Sequence, residues 1–244
     1  MQIEMFQTNL DKNNENSIDI NEKRVKLIEK FEDSKWLSIL GPWINGPDHT
    51  NVFNYLVNQI NEGKRFTPKY GDIFNAFMHC EPGDVKVVII GQDPYPQAGV
   101  ADGIAFSCSK KGKAEASLRY IFSTLYQNIH SADPDLSRWS KQGVILLNTA
   151  FTTQVQAVGA HYEIWKPFTA YLLTEINKLS DKLAIVYMGR KAQQYEKYFP
   201  GQYNIHLPHP ASAAYRGGKW EHNDCWNRIN EHLKSVDKPL INWV

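Results

Sequence analysis

The chain has 244 residues, of which 42% are hydrophobic and 22% charged, and its formal net charge is +1. This composition is typical of a globular protein with a sizeable core and excludes a disordered chain, while the short apolar runs predict no membrane-spanning helix. Three scattered cysteines are too few for a disulfide framework or a four-ligand metal site, and the near-zero charge means that any nucleic acid must be bound by local basic clusters.

The first 21 residues are predicted to form a mobile polar leader. Between Gln7 and Asn21 only Leu10, Ile18 and Ile20 are apolar, which is too few to pack against a core. One folded domain is expected from Glu22 to Val244, because no internal repeat or low-complexity linker divides this part of the chain.

Helical periodicity is the next feature along the chain. Apolar residues from Glu22 to Trp36 recur at helical spacing, and Gly41-Pro42 is expected to end that helix. Further helices are predicted at Val52–Ile60, Asp72–Met78, Ala116–Ile129, Pro167–Leu179 and Lys191–Tyr198.

Four short apolar runs rich in β-branched residues are interspersed with these helices. They are Val85–Ile90, Val144–Leu147, Leu183–Tyr187 and Tyr203–Leu207. Continuous apolar runs of this length are typical of strands buried on both faces, as in a parallel sheet. The alternation of strands and helices predicts a doubly wound α/β fold with right-handed crossovers.

A polar residue follows each of the four predicted strands. These residues are Asp93, Asn148, Arg190 and His209. In an open parallel sheet, ligands bind beyond the carboxyl ends of the strands, so we expect the four side chains to converge on one crevice. A carboxylate, an amide and an imidazole together would form a polar site with acid–base capacity.

Each residue of the crevice also has a purely structural interpretation. Asp93 could cap a rigid turn, and His209, between two prolines, could be a buried and hydrogen-bonded histidine. Asn148 could pin a loop or read the edge of a base. Tyr95 and Phe106 could be core aromatics or could stack on a flat ring. The shared position at strand ends favours the functional interpretation.

Several ordered motifs resemble those of the family-1 uracil-DNA glycosylases. They span about Phe66 to about Asn230 and comprise Val85–Ile90 leading into Gly91-Gln92-Asp93-Pro94-Tyr95, Gly103–Ser107, Trp139, Gly143–Thr149, His209-Pro210 and Tyr215-Arg216-Gly217. The resemblance implies an α/β fold built as a three-layer α/β/α sandwich around a four-stranded parallel sheet. It also implies a hydrolase that extrudes uracil from DNA and cuts its N-glycosidic bond, leaving an abasic site for base excision repair.

The resemblance implies a role for each residue of the crevice. Asp93 would orient the attacking water and stabilise the cationic sugar, while His209 would donate a hydrogen bond to uracil O2 as the base leaves. Asn148 would pair with the uracil edge, and Phe106 would stack on the ring. Tyr95 would fill the space that the methyl group of thymine needs.

Contacts to the base and to the DNA backbone are implied as well. The backbone around Gln92 would touch the base, and Ser117 stands where the family has a serine that grips a phosphate. Further DNA contacts are expected at Gly189, Arg190, Ser212, Ala213, Tyr215 and Arg216. The family uses no metal and no organic cofactor.

The sequence departs from the family pattern at several positions. Pro96 and Asp102 stand where histidines are common, and Arg190 stands in place of a serine that contacts phosphate. An arginine there could bind a phosphate more strongly. The basic loop Lys110–Lys113 could contact phosphates too, or could simply be solvated.

The largest departure follows His209. The family has a leucine in this loop that enters the duplex as a wedge, whereas here the loop is one residue shorter and Ala213 is the nearest equivalent. An alanine would fill little of the space left by an extruded base. The sequence therefore predicts weaker action on paired duplex and a relative preference for single strands.

Two other functions are weighed against this one. The chain could be a DNA-binding accessory protein on a glycosylase scaffold with reduced or lost catalysis, or a glycosylase for a different modified base. The presence of Asp93, Tyr95, Phe106, Asn148 and His209 together argues against the accessory protein, and Tyr95 and Asn148 argue against a different base. Uracil-containing DNA and a DNA-mimicking protein inhibitor are the expected partners, and a monomer in a bacterial or virus-infected cytoplasm is expected.

Overall fold

The computed structural model describes residues 20–215 and 217–244 and divides the chain into two compact units, residues 1–65 and residues 66–244. The predicted leader lies outside the described residues except for its last two positions, which are already helical. A single domain from Glu22 to Val244 stays a prediction.

The described part of the first unit consists of three helices. These are α1 (Ile20–Lys30), α2 (Trp36–Ile44) and α3 (Pro47–Asn61), with α2 in contact with both of the others. The prediction that Gly41-Pro42 ends a helix is wrong, because α2 continues through Pro42 to Ile44. Proline removes one backbone donor, and the buried side chains of Leu40 and Trp43 on either side keep this helix packed.

The second unit is built on a four-stranded parallel sheet. The described part of this unit has six strands, four in this sheet and two in a separate pair. In chain order they are β1 (Phe66–Thr67), β2 (Val87–Gly91), β3 (Val144–Asn148), β4 (Thr153–Gln154), β5 (Ala184–Met188) and β6 (Tyr203–Leu207). The large sheet has the order β3-β2-β5-β6, while β1 and β4 form a small antiparallel pair. All four predicted strands are confirmed; β2, β3 and β5 are buried almost throughout, whereas β6 buries only Ile205 and Leu207.

Five α-helices accompany these strands in the described part of the second unit. They are α4 (Ala116–Phe122), α5 (Ser137–Ser140), α6 (Tyr162–Asn177), α7 (Arg190–Gln193) and α8 (Asp224–Ser235). Together with the sheet they form the expected α/β sandwich, whose core contains side chains of β2, β3, β5, α4 and α8. None of the helices among the described residues is long and apolar enough to cross a membrane.

Helix boundaries differ from the sequence-based expectation more than the strands do. The helix predicted at Asp72–Met78 is wrong, because the chain forms two separate 3-10 turns at Tyr70–Asp72 and Asn75–Phe77. The helix expected at Ala116–Ile129 ends at Phe122, and α6 begins five residues before Pro167. The helix predicted to begin at Pro167 therefore contains this proline instead of starting with it.

The register of the sheet determines where the functional loops emerge. Gly91 at the end of β2 pairs with Asn148 at the end of β3, and Met188 at the end of β5 pairs with Leu207 at the end of β6. Because all four strands are parallel, the loops that follow them leave the sheet at one edge.

Candidate active site

A cavity of about 420 Å³ lies at the carboxyl edge of the parallel sheet. The six residues predicted to perform catalysis and to bind the base all line it, namely Gln92, Asp93, Tyr95, Phe106, Asn148 and His209. Three of the four residues expected to converge from the strand ends, Asp93, Asn148 and His209, therefore lie together, although the loops that carry them are far apart in sequence. Arg190 does not line this cavity.

The carboxyl group of Asp93 is largely buried and is held by hydrogen-bond donors. The backbone N–H of Gly159 donates to its Oδ2 atom over 2.6 Å. Burial raises the pKa of Asp93, and the N–H of Gly159 and the hydroxyl of Tyr162 lower it without cancelling that rise. The result is a carboxylate that is oriented by the protein yet poorly solvated, as a proton acceptor needs to be.

His209 is neutral at pH 7 in this environment. Burial lowers the pKa of its imidazole to about 4. The backbone N–H of Ala211 donates to Nδ1 over 3.2 Å, so Nδ1 is the acceptor of the ring and the single proton resides on Nε2. The neutral ring therefore offers one N–H donor, and it lies beside Phe106 with 5.8 Å between ring centroids.

Tyr95 and Phe106 form a rigid aromatic wall. The hydroxyl of Tyr95 donates to the carbonyl of Phe106 over 2.9 Å and accepts a hydrogen bond from the backbone of Leu118. Phe106 has a φ of +66°, a conformation that costs energy for a residue with a side chain. Such strain persists only where the surroundings impose it, so the ring is fixed before any ligand arrives.

Asp102 stabilises the loop that carries Phe106. Its buried carboxylate accepts hydrogen bonds from the hydroxyls of Ser107 and Ser109, over 2.6 and 2.8 Å, and from the backbone N–H groups of Ile104 and Ser109. These four bonds tie together the segment that carries Phe106. The aspartate that departs from the family pattern therefore has a clear structural role.

Gly91 allows the base-binding side chains to approach the backbone. A Cβ atom at this position would lie 2.6 Å from Oδ1 of Asn148 and 3.0 Å from the ring of Phe106. The next residue, Gln92, has its carbonyl fixed by the N–H of Ala150 and the hydroxyl of Thr149, over 3.1 and 2.7 Å. The floor of the cavity is thus formed by tightly packed backbone.

The residues predicted to contact DNA are spread around the cavity. Ser117 lies in the first turn of α4 and lines the cavity, and Tyr215 lines its mouth with 93% of its surface exposed. Arg190 is exposed at the start of α7, and the hydroxyl of Ser212 is buried without a partner among the described residues. Arg216 lies outside the described residues.

Two of the predicted DNA contacts are corrected by the structure. Ala213 is only 1% exposed, because the 3-10 turn Pro210–Tyr215 packs against α4 and directs this side chain into the core. An alanine in that position cannot enter a duplex, so the expectation that it is the wedge is wrong. Gly189 is buried and its N–H donates to the carbonyl of Leu207 over 2.8 Å, so it offers no donor to a phosphate.

The basic loop Lys110–Lys113 is partly neutralised by carboxylates. Lys110 forms an ion pair with Asp72, and Lys111 forms one with Glu115. These pairs reduce the positive charge that the loop presents to a ligand.

Three residues that hold Asp93 were not found from the sequence. They are Thr153, Gly159 and Tyr162, and they lie about sixty to seventy residues further along the chain. No periodicity or motif marks them, and only Gly159, a lone glycine between two predicted elements, gave any sign of a special backbone conformation. In the described ranges, no three His, Cys, Asp or Glu side chains are grouped as metal ligands would be.

Similarity to known proteins agrees with this site. A family model described as the uracil DNA glycosylase superfamily matches residues 77–234. A uracil-DNA glycosylase of Pseudomonas aeruginosa (strain UCBPP-PA14) is 32% identical over 230 residues, which cover 91% of this chain and 96% of that protein. One from Buchnera aphidicola subsp. Baizongia pistaciae is 34% identical over 219 residues, covering 85% and 96%. Among solved structures, a variant of mimivirus UNG in complex with UGI has a TM-score of 0.76 and 27% identity, covering 85% of this chain and 87% of that one.

Proposed function

The chain belongs to the uracil DNA glycosylase superfamily, and we propose that it acts within it as a family-1 enzyme. It is a uracil-DNA glycosylase, a hydrolase that cuts the N-glycosidic bond of uracil in DNA and leaves an abasic site for base excision repair. The observation that carries the proposed mechanism is that Asp93 and His209 line one cavity together with the aromatic wall and Asn148.

The reaction separates charge, and Asp93 supports its positive half. As the glycosidic bond breaks, the sugar becomes cationic and the base becomes an anion. The carboxylate of Asp93 orients the attacking water and stabilises the cationic sugar. Because it is poorly solvated and already held by the N–H of Gly159, its charge acts at short range without reorganisation of solvent.

His209 supports the negative half of the same transition state. Its neutral ring donates from Nε2 to O2 of the departing uracil. A neutral imidazole keeps its proton during this contact, so it acts as a fixed hydrogen-bond donor instead of a proton source. The bond from Ala211 to Nδ1 selects the tautomer that has the proton on the correct nitrogen.

Base selection depends on the other side of the cavity. The amide of Asn148 offers a donor and an acceptor side by side, which pair with the edge of uracil and mismatch that of cytosine. Phe106 stacks on the ring, and the backbone around Gln92 touches it. Tyr95 is held at both its hydroxyl donor and its acceptor, so it cannot move aside for the methyl group of thymine.

DNA binding is assigned to the residues around the mouth. Ser117, Arg190 and Arg216 contact phosphates, and Tyr215 is the side chain that fills the stack after the uracil leaves. Ser212 is not assigned a phosphate contact, because its hydroxyl is buried. With 93% of its surface exposed at the cavity mouth, Tyr215 offers the large flat surface that Ala213 lacks. The reason for expecting a preference for single strands is thereby removed.

A DNA-mimicking protein inhibitor would compete with DNA at this mouth. The mimivirus UNG variant to which the chain is similar was solved with UGI bound. Such an inhibitor is expected to block uracil release from a monomeric enzyme at a one-to-one ratio. An inhibitor that has no effect at saturating concentration would contradict this part of the proposal.

The function is tested by uracil release from an oligonucleotide followed by alkaline cleavage at the abasic site. Asp93→Asn and His209→Ala are each expected to lower the rate by about a hundredfold or more. Asp181→Asn and His206→Gln, at exposed positions, are the matched controls and are expected to retain full activity. Wild-type protein that binds this DNA without cutting it would favour the accessory-protein function instead.

A further inference from the structure

Tyr162 lies against Asp93, and the mechanism above gives it no role. It is the first residue of α6, and its ring packs so closely on Gly159 that a Cβ atom there would lie 2.7 Å from its Cε2 atom. Gly159 is the residue whose N–H donates to Asp93. The hydroxyl of Tyr162 faces the carboxyl group of Asp93 and lies 3.5 Å from Oε1 of Gln92.

The hydroxyl of Tyr162 has a proton that is available to Asp93. The other side-chain donor near the carboxyl, Thr153, already donates its proton to the carbonyl of Ala157 over 2.7 Å. For Tyr162 the competing acceptor is the amide oxygen of Gln92, and 3.5 Å is long for a hydrogen bond. A carboxylate is a stronger acceptor than an amide, so the phenol proton favours Asp93.

Tyr162 is itself held in place from its other side. The ammonium group of Lys191, on α7, lies 5.2 Å from the centroid of its ring. Such a contact restrains the ring and leaves the hydroxyl directed at the loop after β2, which carries Gln92 and Asp93. The other titratable side chains that line the cavity are His209, which is neutral, Glu115, which is paired with Lys111, Tyr95, whose hydroxyl donates to Phe106, and the exposed Tyr215.

We propose that Tyr162 is a positioning residue that holds the Asp93 carboxylate ionised and oriented for the reaction. Its ring supports Gly159, whose N–H donates to Asp93, and its hydroxyl supplies a proton whose other acceptor, Oε1 of Gln92, lies 3.5 Å away. The proposal rests on the proposed function.

The role predicts a specific pattern of kinetic change for Tyr162→Phe. This variant retains the ring that packs on Gly159 and loses only the hydroxyl. Without that donor, burial of Asp93 is less well compensated and protonation of the carboxyl becomes easier. We expect kcat to fall about tenfold and KM to change by less than about twofold, because the hydroxyl does not touch DNA.

The pH profile separates this role from a merely structural one. Activity requires ionised Asp93 and is lost as the pH falls through its pKa. In Tyr162→Phe the acid limb of the kcat profile is expected to move upward by about one pH unit. Tyr171→Phe is the matched control, because Tyr171 lies on the same helix with Glu175 and Lys178 as its charged neighbours, and its profile is expected to match the wild type.

An NMR titration of the Asp93 carboxyl group tests the proposal independently of turnover. A higher Asp93 pKa in Tyr162→Phe than in the wild type supports it, with thermal unfolding confirming that both proteins are folded. An unchanged carboxyl pKa and an unchanged acid limb would overturn it. A wild type without glycosylase activity would overturn the proposed function, while the NMR comparison would still decide whether Tyr162 positions Asp93.

Discussion

Tyr215 gives the sharpest prediction about how the enzyme handles duplex DNA. With 93% of its surface exposed, its side chain contributes almost nothing to folding, so Tyr215→Ala is expected to change the free energy of unfolding by less than about 0.5 kcal/mol. Its effect must therefore appear in DNA binding. Stacking of an aromatic side chain on a base contributes about 1–3 kcal/mol, which corresponds to a loss of about 5- to 150-fold.

The loss is expected mainly on paired substrates. A uracil in a duplex must be unstacked at a cost of a few kcal/mol, and a side chain that fills the gap offsets that cost. In a single strand there is less stacking to replace. The assay compares kcat/KM on the same uracil oligonucleotide with and without its complement, and Tyr215→Ala is expected to lower the duplex to single-strand ratio by the factor given above.

Two further variants separate Tyr215 from Ala213 as the wedge. Tyr215→Phe retains the ring and is expected to preserve the ratio. Ala213→Leu adds bulk to a side chain that is 1% exposed, so it is expected to lower stability by about 1–3 kcal/mol and leave the ratio unchanged. A folded Ala213→Leu protein with a raised ratio, or a Tyr215→Ala protein with an unchanged one, would refute the assignment.

The remaining predictions concern the cavity floor and acid stability. Gly91→Ala places a Cβ atom 2.6 Å from Oδ1 of Asn148 and is expected to lower kcat/KM about a hundredfold, whereas Gly83→Ala, with open space around it, is expected to have no effect in the same assay. His49, which is 0% exposed and has its pKa lowered by burial to about 4, is protonated more readily in the unfolded chain, where its pKa is 6.5. Its contribution to stability is present above pH 6.5 and falls as the pH drops towards 4, by about 2 kcal/mol at pH 5. The free energy of unfolding in urea is measured at pH 7 and pH 5. Between these values it is expected to fall by about 2 kcal/mol less in His49→Leu than in the wild type. An equal fall in both proteins would contradict the lowered pKa of His49.

The strands could be predicted because each is a short apolar run bounded by residues that end it. Val87–Gly91 is buried along its whole length, so this sequence is stable only in the interior of a sheet that is covered on both faces. The helices were predicted less well, because their ends depend on tertiary packing. Pro167 is an ordinary stop or start signal in a sequence, yet it lies inside α6, where the buried Trp165 and Phe168 anchor the helix on either side.

The site could be predicted as far as strand ends determine it. Asp93, Asn148 and His209 lie at the ends of parallel strands, and parallel strands bring such residues together by geometry alone. The support for Asp93 could not be predicted, because Gly159 and Tyr162 reach it through a loop that has no periodicity. The burial of Ala213 could not be predicted for a related reason: the 3-10 turn after His209 determines which side chain points outward, and counting positions along a sequence does not reveal that.

One physical property of the cavity, its low exposure to water, shifts the pKa values of Asp93 and His209 in opposite directions, and only the shift at His209 favours the proposed reaction. Burial raises the pKa of Asp93 and lowers that of His209, because each group loses solvation in its charged form. For His209 the lowered pKa favours the proposed mechanism directly, since the neutral ring is the hydrogen-bond donor to uracil. For Asp93 it opposes function, since the ionised form is required, and the donors at Gly159 and Tyr162 are what limit the rise. Hydrogen bonds are therefore concentrated on Asp93, where burial disfavours the ionised form that the reaction needs. His209 needs only the single bond that selects its tautomer.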